Sequence, residues 1–246
     1  MMLCNEPINT ETKDLVLSGT VVSGTGRAVL FDLDGTLIDS VGIYFKIVEI
    51  VMEGLGLPKA SRHDVLAAAE KDPFDWLQLI PPDLHHRRDT LIPSAQRIVE
   101  ETYPPLFREK ATLMSGALDI MYRLVARGIK IGIVTSTPRK HIHHKMSLFD
   151  KEDITHLITA VISADDAPRK KPAPDPLILC AGLLGTPVSE CIYIGDTRID
   201  IRAGKAAGMK TIAVSSGFDQ AKTLAAEFPD ALIDSVSCLE SVLHFL

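Results

Sequence analysis

Residues 28–40 read Ala-Val-Leu-Phe-Asp-Leu-Asp-Gly-Thr-Leu-Ile-Asp-Ser. The run Ala28-Val29-Leu30-Phe31 is apolar and bounded, which predicts a strand buried on both faces, as in a parallel sheet covered by helices. Two carboxylates, Asp32 and Asp34, follow one residue apart, and Gly35 with Thr36 breaks the strand. Open α/β sheets bind their ligands at the carboxyl ends of strands. Side chains at i and i+2 of an extended segment point the same way, so Asp32 and Asp34 are expected to share one small volume. Two carboxylates that close repel, and one titrates high unless a cation joins them. Mg²⁺, which takes hard oxygen ligands, answers that need. Gly35 and Thr36 are expected to offer backbone N–H groups to an anion such as phosphate. Taken alone, the paired aspartates serve equally well as a solvated acidic strand end, and the rest of the chain has to decide.

From Ala111 onward the pattern alternates between strand and helix. Helices are expected over about Gly116–Arg127, Pro138–Leu148, Pro174–Leu184 and Arg198–Ala207. Strands are expected at Ile129–Val134, Leu157–Ile162, Cys191–Ile194 and Lys210–Val214, followed by a helix, a short strand at Ala231–Ile233 and a terminal helix. Strands separated by helices imply right-handed crossovers and a parallel sheet. The expected class is therefore α/β: a Rossmann-like parallel sheet with helices on both faces, interrupted after its first strand by an all-helical segment.

That segment is residues 41–110. Val41, Tyr44, Phe45, Val48, Met52 and Leu55 recur at helical spacing, and Gly56 with Pro58 ends the pattern. Ser61 with Asp64 resembles a capping box, and Asp72-Pro73 fits N-cap and first-turn positions ahead of Phe74, Trp76 and Leu77. One or two further helices are expected between Asp83 and Tyr103, interrupted near Pro93, with Pro104-Pro105 closing the segment. The domain plan is then a 1–27 tail, an α/β core of 28–40 and 111–246, and a helical insertion of 41–110. The tail is polar, with short apolar patches at Leu15-Val16-Leu17 and Val21-Val22, and is expected to be disordered or loosely docked. Its Ser23-Gly24-Thr25-Gly26 precedes a strand and not a helix, so it lacks the context of a phosphate loop.

Composition narrows the partners. Of 246 residues, 46% are hydrophobic and 24% charged, as in a globular protein with a real core. A net charge of −6 argues against nucleic acid or anionic membranes as partners. No apolar run approaches the roughly 18–20 residues of a membrane span, and the N-terminus has no signal-peptide pattern. Cys4, Cys180, Cys191 and Cys238 are scattered, which speaks against a zinc site or a disulfide framework. A cytoplasmic chain with reduced thiols is the expectation, and composition leaves the choice between monomer and homodimer open.

Three more stretches carry chemistry. Thr135-Ser136-Thr137-Pro138 ends a strand, where a hydroxyl can donate to a phosphate oxygen or simply cap the next helix. Lys170-Lys171-Pro172-Ala173-Pro174-Asp175-Pro176 is a loop entering a helix. Gly195-Asp196-Thr197-Arg198-Ile199-Asp200 puts acids at another strand end, where Asp196 is either a metal-directed group or an N-cap. His85, His86, His141, His143 and His144 read as solvated helix surface and not as ligands. Arg139, Lys140, Arg198, Arg87 and Arg88 are either substrate contacts or surface charges.

Phe31-Asp32-Leu33-Asp34-Gly35-Thr36-Leu37 resembles the first motif of the haloacid dehalogenase (HAD) superfamily of phosphohydrolases. Thr135 matches the second motif, Lys171-Pro172 the third and Gly195-Asp196 through Asp200 the fourth, all in order and each at a predicted strand end or helix entry. The likeness covers about residues 28–40 and 111–246, and the helical insertion matches the family's type I cap in position. Within the superfamily the chain resembles the phosphoglycolate phosphatases and their kin. The resemblance implies a Mg²⁺-dependent phosphatase acting on a small phosphorylated metabolite. It makes Asp32 the nucleophile that becomes an aspartyl phosphate and Asp34 the general acid and base. It assigns Mg²⁺ to Asp32, the Asp34 carbonyl and Asp196, with Asp200 orienting Asp196 or the metal's waters. It assigns the phosphoryl oxygens to Thr135, Ser136, Lys171 and the backbone near Gly35 and Thr36, under a cap that closes. The family's dehalogenases and phosphonate hydrolases lack an acid at the Asp34 position, so its presence implies C–O–P chemistry. A phosphosugar mutase on the same core remains an alternative, as does a non-catalytic phosphometabolite-binding protein.

Overall fold

The computed structural model describes residues 27–69 and 75–243. The expected tail before Arg27 and the helix start at Asp72-Pro73-Phe74 lie outside the described residues. By internal contacts the chain divides into two compact units, Ser40–Ala111 and the chain up to Asp39 together with Thr112 onward.

The α/β unit is built on β1 (Ala28–Phe31), a strand in which every residue is buried. It pairs in parallel with β4 (Lys130–Val134) on one side and with β6 (Cys191–Gly195) on the other. Around these three lie β5 (Ile158–Ile162), β7 (Lys210–Val214) and β8 (Ala231–Ile233), in the order β5-β4-β1-β6-β7-β8 and all parallel. A two-stranded antiparallel ribbon of β2 (Ile38–Asp39) and β3 (Thr112–Leu113) completes the unit's strands among the described residues. The strand order reverses at β1. In such a sheet the crevice at the carboxyl ends of the central strands is the place for ligands.

The helices of this unit are α4 (Ala117–Ala126), α5 (Arg139–Lys151), α6 (Asp175–Leu184), α7 (Arg198–Ala207), α8 (Ala221–Ala225) and α9 (Glu240–Leu243). Leu177, Cys180, Ala181 and Leu184 of α6, with Ala203 and Ala207 of α7, pack on Ala28, Leu30, Val134, Ala160, Ile162 and Tyr193 of the sheet. The alternate residues Val29, Phe31, Ile131 and Ile133 are just as buried, and α4 lies against β4. Burial on both faces explains why these strands read as continuous apolar runs and not as alternating ones. None of the described helices is long and apolar enough to cross a membrane.

The helical unit contains α1 (Val41–Gly54), α2 (Arg62–Ala69) and α3 (Arg88–Lys110), with 3₁₀ turns at Trp76–Gln78 and Pro82–Arg87. Ser61 Oγ accepts the Asp64 N–H at 3.2 Å, the first half of the expected capping box. Asp75 caps the turn at Trp76–Gln78 by accepting the Leu77 N–H at 3.2 Å.

One expectation is corrected here. Pro93 does not interrupt the segment and Pro104-Pro105 does not close it, because α3 runs 23 residues through all three prolines. A proline inside a helix costs ~3 kcal/mol by removing a hydrogen bond and crowding the preceding turn. Here α3 packs along α1, burying Leu91, Ala95 and Phe107, and Tyr103 stacks on Phe107 at 5.4 Å. That tertiary packing outweighs the local propensity. On α1 the buried face is Ile43, Ile47, Val48, Val51 and Met52, rotated from the stripe its spacing suggested.

Candidate active site

Three neighbouring strands deliver the polar groups. Asp32 follows β1, Thr135 follows β4 and Asp196 follows β6, so all three emerge at the carboxyl edge of the sheet's centre. The loop after β5 brings Lys171, which a cis peptide joins to Pro172. The first turn of α7 brings Asp200, whose place is set by a capping box with Thr197.

Lys171 ties the group together. Its Nζ donates to Asp32 Oδ1 at 2.7 Å, to Asp200 Oδ1 at 2.6 Å and to the Tyr193 hydroxyl at 2.9 Å. Its side chain is 4% exposed, against 9% and 2% for the two carboxylates, so these are desolvated charges and not a surface pair. Burial alone would lower its pKa, but the Asp200 and Asp32 carboxylates outweigh that and hold it above the ordinary lysine range. The neighbouring Lys170 is exposed.

Asp200 accepts hydrogen bonds at both of its oxygens. Its Oδ2 takes the Thr197 N–H at 3.1 Å and the Thr197 hydroxyl at 2.5 Å, while Tyr193 and Lys171 share Oδ1. Such a carboxylate orients its neighbours.

Asp196 is fully buried. Its Oδ1 accepts from Thr36 Oγ1 at 2.9 Å and its Oδ2 from the Phe218 N–H at 2.7 Å. Burial first, and then the charges of Asp32 and Asp200, push its pKa well above the ordinary carboxylate range. Asp32 is pushed up to about 7, by burial above all, with the Lys171 ammonium pulling it back and Asp200 and Asp34 adding to the rise. Among the described residues, no protein donor holds Asp32 Oδ2.

Asp32, Asp196 and Asp200 each offer a carboxylate oxygen within 4.8 Å of the others. Counting Asp34, four carboxylates meet two ammoniums, Lys171 and Lys145. The clustered negative charge, which adds to the effect of burial in raising these values, is what a divalent cation neutralises, and hard carboxylate oxygens are the donors it prefers. The residues fit such an ion.

Asp34 has its own surroundings. The Thr137 hydroxyl donates to its Oδ2 at 3.0 Å, and Lys145 Nζ donates to the same oxygen. Lys145 Nζ also lies 2.7 Å from Thr137 Oγ1. Thr135 is buried, caps the Thr137 N–H through Oγ1 at 3.1 Å and sits 3.2 Å from the Thr137 hydroxyl. Ser136 is exposed at the same strand end.

One expected phosphate donor is corrected. The Gly35 N–H donates to Ile38 O at 2.8 Å and is spent within the turn. Gly35 serves instead by being small and by adopting φ +79°. A Cβ there would lie 2.3 Å from Asp196 Oδ2. The Thr36 side chain likewise serves Asp196.

Lys145, Thr137 and Tyr193 were not singled out from the sequence. The arginines are committed elsewhere: Arg139 to Asp166, and Arg198 to Asp219 at 3.2 Å in the loop that packs on Asp196. Arg87 and Arg88 are exposed. His85 and His86 bond backbone carbonyls, and no histidine joins a metal-compatible cluster among the described residues.

Comparison with known proteins bears on this geometry. The family model described as haloacid dehalogenase-like hydrolase matches residues 29–214. A phosphoglycolate phosphatase of Salmonella typhi is 29% identical over 231 residues, covering 87% of this chain and 90% of that protein. The phosphoglycolate phosphatase of Escherichia coli strain K12 is 27% identical over the same share of each chain. A solved Haemophilus somnus structure, described as a predicted phosphoglycolate phosphatase, superposes with a TM-score of 0.77 at 20% identity, over 90% of this chain and 99% of that one. At that identity the superposition speaks for the fold alone.

Proposed function

The chain belongs to the haloacid dehalogenase-like hydrolase family, and from that premise we propose that it hydrolyses a small phosphate monoester at the Asp32–Asp34 pair. The observation that carries the reading is the buried Lys171 ammonium bridging Asp32 and Asp200, with a second acid, Asp34, two residues on. Lysine neutralises the charge of the nucleophile and of the transferring phosphoryl group. The pair then supplies one group to attack and one to move a proton.

In this mechanism Asp32 Oδ2 attacks phosphorus in line, the P–O bond to the leaving alcohol breaks, and Asp34 gives its proton to the departing oxygen. Asp34 then takes a proton from water, the hydroxide attacks the phosphorus of the aspartyl phosphate, and inorganic phosphate leaves with Asp32 regenerated. Lys171, Thr135 and Ser136 hold the phosphoryl oxygens. Such acid–base work contributes about 10²–10⁴-fold. Mg²⁺ would be held by Asp32, the Asp34 carbonyl and Asp196, and when bound it supplies charge stabilisation at the phosphoryl oxygens. Asp200 stays outside that ligand set and fixes Lys171. A binder would need Lys171 but not an acid at Asp34, and this favours turnover over sensing.

The named relatives make phosphoglycolate the first ester to test. Phosphate release is measured from phosphoglycolate, sugar phosphates, nucleotides and pyrophosphate, with Mg²⁺ or chelator, for the wild type and Asp32→Asn. Release by the wild type with Mg²⁺ alone supports the proposal, and the best ester names the substrate class. No release from any ester by a folded protein that binds Mg²⁺ would overturn it.

A further inference from the structure

The proposed reaction uses Asp34 and Lys171 but has no part for Lys145, a lysine on α5 whose side chain is only 6% exposed. Its place on the helix is unusual. The buried residues of α5 are Ile142, Lys145, Leu148 and Phe149, so the lysine occupies a position in the apolar stripe. Burying an ammonium is costly unless it is paired and hydrogen-bonded. Lys145 meets Asp34 Oδ2 and Thr137 Oγ1 there.

The chemistry of the donors fixes the direction of each contact. Lysine only donates, and a threonine hydroxyl has one proton and two acceptor positions. Thr137 Oγ1 receives Lys145 Nζ at 2.7 Å and has Thr135 Oγ1 at 3.2 Å, which leaves its own proton for Asp34 Oδ2 at 3.0 Å. Two donors therefore converge on one oxygen of Asp34. Asp34 is also the more open of the two aspartates, at 22% side-chain exposure against 9% for Asp32.

We infer that Lys145 and Thr137 form a clamp on Asp34 Oδ2 that presents the carboxyl group to the leaving oxygen, which makes Lys145 a positioning residue for proton transfer. The inference rests on the hydrolase reading. It gives the two buried ammoniums separate roles. Lys171 serves the group that attacks, and Lys145 serves the group that protonates. Loss of the clamp weakens the step that needs the acid and spares attack by Asp32.

Leaving groups separate these effects. An acidic phenol departs without a proton, whereas an aliphatic alcohol needs one. The experiment compares kcat/KM for 4-nitrophenyl phosphate and for a series of alkyl phosphates in wild type, Lys145→Met, Asp34→Asn and the double variant. Lys145→Met is expected to lose ~10²-fold on alkyl phosphates, at the low end of the range for acid–base catalysis, and about tenfold less than that on the aryl ester. In the Asp34→Asn background it is expected to cost little more, since residues acting as a unit are non-additive. Thr137→Val keeps the side chain's shape and Lys145 itself, and is expected to show the same leaving-group bias to a smaller degree; it carries the test if Lys145→Met does not fold. Equal losses on aryl and alkyl esters, or a Lys145 effect that persists in full beside Asp34→Asn, would overturn the inference and leave the hydrolase reading standing. A wild type inactive on every ester would overturn both.

Discussion

Gly217→Ala tests how closely Asp196 is held. A Cβ at position 217 would lie 2.1 Å from Asp196 Oδ2 and 2.3 Å from both its Cβ and Cγ. Ordinary van der Waals contact needs about 3.5 Å, so something has to give by more than an ångström. The carboxylate resists, because Thr36 and the Phe218 N–H hold its two oxygens. The loop resists too, because the Arg198 backbone and guanidinium both bond Asp219, and the Asp219 N–H reaches Asp196 O at 3.3 Å. Overpacking of this kind costs roughly 1–3 kcal/mol. For a chain of this size each kcal/mol moves Tm by about 2–4 °C, so a fall of about 2–12 °C is expected. An ångström of misplacement at a reacting centre can cost ~10²-fold, and a drop in kcat/KM of that order should accompany the loss of stability. Thermal melts and phosphate release read the two effects. Gly182→Ala is the control: a Cβ there meets nothing within 4 Å, and in helix α6 it should leave Tm unchanged or raise it. A Gly217→Ala protein with wild-type Tm and activity would refute the packing argument.

Other outcomes follow from the same geometry. Lys171→Met leaves Asp32 and Asp200 buried without their ammonium, so a loss of about 3–5 kcal/mol in denaturant unfolding is expected, and activity should fall at least ~10²-fold; near-wild-type turnover would exclude its role. The metal-stripped protein should lose stability as pH rises from 5 to 8. Asp32 is raised from the ordinary carboxylate range to about 7 and Asp196 is raised as well, so the protonated forms favour the fold, and that contribution disappears as pH passes through the folded value. Added Mg²⁺ should then raise Tm more at pH 8 than at pH 5, and a metal-free Tm that climbs over this window would contradict the assignment. Phe107→Ala removes a buried ring from α3 beyond its three prolines and should cost about 3–5 kcal/mol; a negligible change would mean that packing does not hold the helix through Pro104 and Pro105.

Much of the α/β unit was legible because burial on both faces writes itself as apolar runs. β1, β4, β6 and β7 fall within a residue of their expected bounds, and α7 and β7 match theirs. The strand ends at Asp32, Thr135 and Asp196 were legible for the same reason, since a polar residue stops each run. The helix α3 was not, because three prolines predict breaks and only packing along α1 reverses that. Lys145 was missed because a lone lysine reads as surface. The available signal was its place between Ile142 and Leu148 on the apolar stripe of α5. Tyr193 was hidden in a strand whose other residues only pack, and Gly35 read as a phosphate donor because the sequence does not show that its N–H closes a turn on Ile38.

In the proposed mechanism Asp32 carries the phosphoryl group during turnover. Quenching the enzyme during steady-state hydrolysis of its best ester and reducing with borohydride converts an aspartyl phosphate to homoserine, which mass spectrometry of the peptide containing residues 28–40 locates. Homoserine at position 32, absent without substrate and absent in Asp32→Asn, is the predicted result. Continued phosphate release by Asp32→Asn, or modification at another carboxylate with Asp32 untouched, would contradict the account.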